Sequence, residues 1–313
     1  MRVFRRRYVS HRIPVTYVAS SSHSGSTLLA LLADQHPRLA TVGETAIKPR
    51  IRREGRSSAQ RCSCGQCVGD CPFWQSVFRH TSADVRFDLE HWSNDYRFER
   101  AWLDALLTRE TSSVAVRRIR HWAMRHLPLL RDRTARVDRA NVAFVKAVLA
   151  RKGAATFLDT TKLVTRLAYL LDVREFRVNV IHLVRDVRGF AASAKRRGEP
   201  PSGAARVWRQ DQLAIERVLS ASPSTPTLRI RYEDLCANPG DTLRRLWEFC
   251  EIEPVAASTI VRAGEHHVIG NNMRMGDVVE VRFDDAWERS LASDEQSAVL
   301  NVAGDLHQRL GYA

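Results

Sequence analysis

The chain has 313 residues, 44% of them hydrophobic and 27% charged, with a net charge of +14 and a pI of about 10.2. These fractions are ordinary for a soluble globular protein, and no apolar run approaches the roughly 20 residues that a membrane helix needs. The positive charge favours anionic ligands. It is almost all arginine, since lysine stands only at Lys48, Lys146, Lys152, Lys162 and Lys195, and genome composition alone can produce such a bias.

The basic opening, MRVFRRRYVSHRIPVTYVA, has too short an apolar part and no clear cleavage site, so no signal peptide is read and a cytoplasmic protein is expected. Pro14–Ala19 is apolar with β-branched residues and meets a Ser/Gly loop, which predicts a buried strand; Ser26–Gln35 predicts a helix. Gly55 to Trp74 is loop-like, within a Cys-rich segment at about 55–76. Tyr96 to Arg151 has helical periodicity and many arginines, which predicts a helical insertion at about 96–152. Strand-like and helix-like segments then alternate: Ala155–Leu158, Lys162–Leu171, Val178–Val184, Val187–Arg196, Ala204–Leu219, Thr227–Ile230 and Thr242–Cys250, before a last helix at Asp294–Leu310. Alternation implies right-handed βαβ units and an α/β fold, a P-loop-like parallel sheet flanked by helices, here expected as one domain over 1–313. Ligands of such sheets bind at the carboxyl ends of the strands, where the loop after Ala19 lies.

That loop, SSSHSGSTLL, has the makings of an anion cradle. Gly25 permits close backbone approach, Ser24, Ser26 and Thr27 add hydroxyls, and the helix that follows presents free N–H groups and a partial positive charge near Leu28. It is not a Walker A loop, because Ser26 stands where that pattern needs lysine and no glycine lies five residues before Gly25. Further on, in VIHLVRDVRGFAASAKRRG, Arg185 follows a strand and Ser193 lies eight residues later in a helix, so a guanidinium and a hydroxyl can share one phosphate. LRIRYEDLCANPGD then places Tyr232 in a turn between strand and helix.

These segments, in this order, resemble the sulfotransferases that use 3′-phosphoadenosine-5′-phosphosulfate (PAPS). The likeness covers the first 45 residues and most of 155–250, with a weaker match near 264–290, and is nearest to the protein-tyrosine and carbohydrate branches. It implies that the loop holds the 5′-phosphosulfate, that Arg185 and Ser193 hold the 3′-phosphate with Arg197 as a further candidate, and that Tyr232 contacts the nucleotide. His23 departs from the pattern by occupying an arginine position; as a neutral or protonated imidazole it can still donate a hydrogen bond.

Sulfuryl transfer to a hydroxyl needs a base within about 3 Å of the acceptor and positive charge for the leaving phosphate. The likeness assigns the base to a glutamate in a GE-T segment, here Glu44 in VGET; His266 or His267 is the alternative. Lys162, after FLDTT, is placed to stabilise the leaving group, with His23 beside the same oxygens. In AGEHHVIGNNMRMG a loop over the nucleotide is expected, with Gly270, Asn271 and Arg274 as ligands. The chemistry itself needs no metal. Cys62, Cys64, Cys67 and Cys71 resemble a CxCG…CPFW pattern in related bacterial sequences, which implies a structural element near the acceptor pocket; structural thiols or a disulfide rank first and zinc second, because paired C-x-x-C knuckles are missing. The expected function is transfer of a sulfuryl group from PAPS to a hydroxyl of a small molecule or glycan, releasing adenosine 3′,5′-bisphosphate. A P-loop kinase-like enzyme and a basic nucleic-acid-binding protein are the rivals; no nucleic-acid motif supports the latter, and no nucleic-acid partner is expected.

Overall fold

The computed structural model describes residues 12–46, 60–89, 91–109, 111 and 113–312. Five parallel strands form the central sheet: β1 (Ile13–Ala19), β2 (Leu39–Thr41), β3 (Thr156–Lys162), β4 (Phe176–Val184) and β5 (Thr227–Arg231), in the order β2-β3-β1-β4-β5. This is the α/β fold expected. The central strand β1 is apolar on both faces because both faces are covered. Val15, Tyr17 and Ala19 point into one hydrophobic core, with the helices Pro72–Asp84 and Pro128–Lys152. Val18 points into another, with helices Ser26–Ala33 and Pro239–Phe249. A third core joins helices Val187–Lys195, Pro201–Ala221 and Ser293–Ala303.

Several boundaries differ from expectation. The first core helix starts at Pro72, inside the segment read as loop. The arginine-rich stretch breaks into helices Ala101–Leu107, Val114–His126 and Pro128–Lys152. Pro128 starts the last of these, where its missing N–H costs nothing, and Gly153 ends it at φ 65°. The short strand β2 went unread. β3 continues through Asp159-Thr160-Thr161 to Lys162, which therefore ends a strand instead of opening a helix. The final helix is interrupted at Gly304 and resumes as Asp305–Arg309.

Because β1 lies between β3 and β4, the strand order reverses at β1, and a crevice opens at the carboxyl ends there. From β4, His182 is buried behind the crevice; its Nε2–H donates to Gln212 Oε1 at 2.7 Å, and Gln212 Nε2 donates to Ser21 Oγ at 3.0 Å. Burial pushes the imidazole down from 6.5 to about 4, although the Gln212 hydrogen bond works the other way. The unfolded chain therefore takes up a proton that the folded chain refuses. Stability should fall as pH drops from about 6.5 to about 4, by about 3 kcal/mol from this group. Urea unfolding across that range should show a shallower pH dependence in His182→Gln; equal slopes for the two proteins would refute the assignment.

Candidate active site

The loop after β1 turns through two left-handed residues, His23 at φ 60° and Gly25 at φ 87°. Gly25 is required twice over: for the dihedral, and because a Cβ there would lie 2.5 Å from the Tyr232 ring. In helix Ser26–Ala33 the Leu29 N–H bonds to Gly25 O at 2.9 Å. The N–H groups of Ser26, Thr27 and Leu28 precede it and lie at the positive end of the helix, whose first turn carries no acidic residue. These three residues line a cavity of about 590 Å³ with His23 and Gly25. Ser24 is buried beneath, its hydroxyl without a hydrogen-bond partner among the described residues.

Arg185 follows β4 and is held from three sides. It donates to His23 O at 2.9 Å and to Asp284 Oδ2 at 3.0 Å, and its guanidinium lies 4.4 Å from the centre of the Tyr232 ring. Asp284 also receives Arg196 at 2.8 Å. Burial raises the Asp284 carboxyl, but hydrogen bonds from Arg196 and Arg185 outweigh it and hold the group below its usual range. Tyr232 OH accepts from Asp284 N–H at 3.2 Å, and burial raises its phenol. Ser193, on helix Val187–Lys195, lines the same cavity. Arg197 does not: it lies past the end of the helix and turns back to Ser193, 2.7 Å from its carbonyl and 3.2 Å from its hydroxyl. Arg196 lines the cavity in its place.

Glu44 and Lys162 form an ion pair of 2.6 Å across the carboxyl ends of β2 and β3. Lys162 sits at φ 72°, a left-handed turn that carries its side chain out of the strand direction. The neighbours of the pair are fixed from below. Asp159 Oδ2 receives Arg166 Nε at 3.0 Å and Thr45 Oγ1 at 3.0 Å; its Oδ1 receives the Thr161 N–H at 2.9 Å. Arg166 also reaches Asn94 O at 2.9 Å and Asn141 Oδ1 at 2.7 Å. Thr45 N–H donates to Thr161 Oγ1 at 2.8 Å, which ties the residue after Glu44 to the residue before Lys162. On the other side the Glu44 N–H bonds to Ile269 O at 2.9 Å. Glu44, Lys162, Ser22 and Ala46 line both the first cavity and a second one of about 340 Å³, whose wall includes Tyr96, Arg97, Asp104 and Arg109.

The segment after Val268 is partly as expected. Gly270 and Asn271 line the first cavity, and the Asn271 N–H bonds to Thr27 Oγ1 at 3.0 Å. Arg274 is a correction: it is buried, does not line the cavity and donates to the carbonyls of Gly270, Asn271 and Arg61, so it braces the segment. His266 and His267 lie outside both cavities. His266 Nδ1 lies 2.9 Å from Asp34 Oδ2, and His267 stacks on Phe73 at 4.6 Å. No cysteine is in a disulfide, and within the Cys-rich segment Cys62, Cys64 and Cys71 converge with His267, leaving Cys67 out of the cluster. Besides Arg196, the sequence reading passed over Gln60, Arg282 and Asp284 in the cavity wall. The run Lys195-Arg196-Arg197-Gly198 did mark the spot, but not which arginine faces inward.

A family model described as "Sulfotransferase family" matches residues 14–256. Among solved structures, the "Sulfotransferase Domain from the Curacin Biosynthetic Pathway" is similar at 17% identity and a TM-score of 0.53, covering 96% of this chain and 99% of that one. That likeness bears on the fold alone. The "Sulfotransferase Domain from the Synechococcus PCC 7002 Olefin Synthase" is also 17% identical, with a TM-score of 0.48, and the match covers 100% of this chain and 99% of that one. None of the curated proteins compared with the chain matches it.

The buried Asp159–Arg166 pair yields a stability prediction. Asp159→Asn leaves a guanidinium buried without its counter-charge and should cost about 3–5 kcal/mol in urea unfolding. Asp159→Asn combined with Arg166→Met should regain part of that loss. A single-variant cost below about 1 kcal/mol would show that the pair does not anchor the site.

Proposed function

The chain belongs to the sulfotransferase family, and on that premise we propose that it moves a sulfuryl group from PAPS to a hydroxyl of a small molecule or glycan. The observation that carries this reading is the Glu44–Lys162 pair on the wall shared by the two cavities, with the anion-cradling loop on one side. The residues present fit the donor. The tight approach at Gly25, the buried hydroxyl of Ser24 and the helix-end amides of Ser26, Thr27 and Leu28 suit the 5′ end, while Arg185 and Ser193 suit the 3′-phosphate and Tyr232 the nucleotide. When bound, the donor supplies an activated sulfuryl group and leaves as adenosine 3′,5′-bisphosphate.

The chain's own groups divide the work. Glu44 takes the proton of the acceptor hydroxyl, which the second cavity brings alongside. Lys162 holds one oxygen of that carboxylate, so the other is left to face the acceptor, and its ammonium offsets negative charge that develops on the donor side. The N-terminal amides of helix Ser26–Ala33 do the same without a side-chain cation. His266 and His267 line neither of the two cavities, which favours Glu44 as the base.

Calorimetric titration tests the donor assignment. Adenosine 3′,5′-bisphosphate should bind more tightly than AMP. Arg185→Ala should weaken the bisphosphate by about 10–100-fold and AMP much less, as for loss of a charge-assisted contact of about 1.5–3 kcal/mol. Equal affinity for the two nucleotides in the unaltered protein would sink the reading. For the base, Glu44→Gln should lower kcat by about 10²–10⁴-fold in an acceptor screen with labelled donor while nucleotide affinity holds. A kcat within a few fold of the parent would remove Glu44 from that role.

A further inference from the structure

The proposed reaction makes no use of the Cys-rich segment, yet that segment is built with care. Cys62 N–H bonds to Gln66 O at 2.8 Å and Gly65 N–H to Cys62 O at 2.9 Å, inside a ladder that pairs Arg61 with Cys67. This tight turn presents Cys62 and Cys64 on one side. Cys71 arrives as the residue before helix Pro72–Asp84. His267 comes from the far end of the chain, at φ 53° and lying parallel on the Phe73 ring with an interplanar angle of 1°. Two backbone-side contacts hold the two segments in register beside the cluster: Val268 N–H to Ser63 Oγ at 2.8 Å and Ser63 N–H to Val268 O at 3.2 Å.

The four ligand atoms, three Sγ and one imidazole nitrogen, all lie within 4.8 Å of one another. Cys64 Sγ is 3.6 Å from Cys71 Sγ, and His267 Nδ1 is 3.6 Å from Cys62 Sγ and 3.5 Å from Cys71 Sγ. A tetrahedral zinc ion with Zn–S of about 2.3 Å and Zn–N of about 2.0–2.1 Å requires S–S edges of about 3.8 Å and S–N edges of about 3.6 Å. The three short spacings are close to the edges of a tetrahedron around one ion, and the remaining pairs lie within 4.8 Å. A Cys64–Cys71 disulfide would need its sulfurs at about 2.05 Å and would give Cys62 and His267 no reason to converge.

We infer that Cys62, Cys64, Cys71 and His267 form a structural zinc site, closed by four protein ligands. Three thiolates and an imidazole are the donor set of such sites, and four protein ligands leave no open position for substrate. The inference is independent of the reaction proposed above. Its consequence falls on the active site all the same. His267 is two residues from Ile269, whose carbonyl receives the Glu44 N–H, and four from Asn271, whose N–H holds Thr27. Zinc would fasten to the Cys-rich turn the segment whose backbone bonds both the Glu44 N–H and the Thr27 hydroxyl of the loop after β1.

The test is metal content of the full chain, purified without chelator or metal-affinity resin, with anaerobic cobalt titration of the reduced protein. One zinc per chain is expected. Cobalt should give thiolate charge-transfer bands and the intense visible bands of a tetrahedral ion. Cys67→Ser should keep its zinc, whereas His267→Ala and Cys64→Ser should lower zinc affinity by about tenfold or more. The cobalt spectrum of the unaltered protein decides the matter even if a ligand variant fails to fold. Absence of stoichiometric zinc together with absence of the cobalt bands would overturn the inference. So would zinc lost in Cys67→Ser but kept in His267→Ala, or an intact mass two hydrogens short of the all-thiol chain.

Discussion

The buried ion pair between Asp159 and Arg166 is the constraint on which the site depends. Both side chains are almost wholly removed from water, so each must be satisfied by protein groups. Asp159 meets that demand with Arg166, the Thr45 hydroxyl and the Thr161 N–H and hydroxyl; Arg166 adds Asn94 and Asn141. One internal charge pair thus ties strand β3, the residue after Glu44, the helix Val164–Leu170, the turn at Asn94 and the helix Pro128–Lys152. The ion pair of Glu44 and Lys162 adjoins it through Thr45 and Thr161, the chain neighbours of the two residues. Its geometry follows from a network beneath the cavity floor, not from the two side chains alone.

The loop after β1 has no lysine. Positive potential comes from the end of helix Ser26–Ala33 and from Arg185, which is not a loose cation. Asp284, the His23 carbonyl and the Tyr232 ring fix its guanidinium, so little rotamer freedom remains to be lost on binding. An acidic residue beside an anion site looks contrary to purpose. Here Asp284 orders Arg185 and Arg196 and keeps the local charge below that of two bare arginines.

The fold was legible because the central strands are buried on both faces and stand out as apolar runs between helical periods. β2 escaped because three residues cannot display a period. β3 was cut short at Leu158 because Asp159, Thr160 and Thr161 look like the start of a loop; Arg166, Thr45 and Thr161 together make a buried carboxylate tolerable there. The residues at the strand ends, from Ser26 to Arg185 and Tyr232, could be read because local order along the chain carries them. Errors arose where neighbours in space are far apart in sequence or differ by one position. Arg196 and Arg197 are adjacent, and the helix end decides which faces the cavity. Arg274 has the charge a phosphate needs, but nearby carbonyls claim it. Spacing among the cysteines could not reveal that the fourth member of their cluster is a histidine about two hundred residues away.

The pairing of Gly43 with Ile269 has a bearing on how the protein is made. During synthesis β1, the loop after it and Glu44 emerge before their partners β3, β4 and β5 in the central sheet. The segment that braces Glu44 and Thr27 emerges only after more than two hundred further residues, and Asp284, which aims Arg185, comes later still. The sheet can therefore assemble on the ribosome while its crevice stays unfinished. On a nascent chain the scaffold of the crevice therefore precedes its far wall.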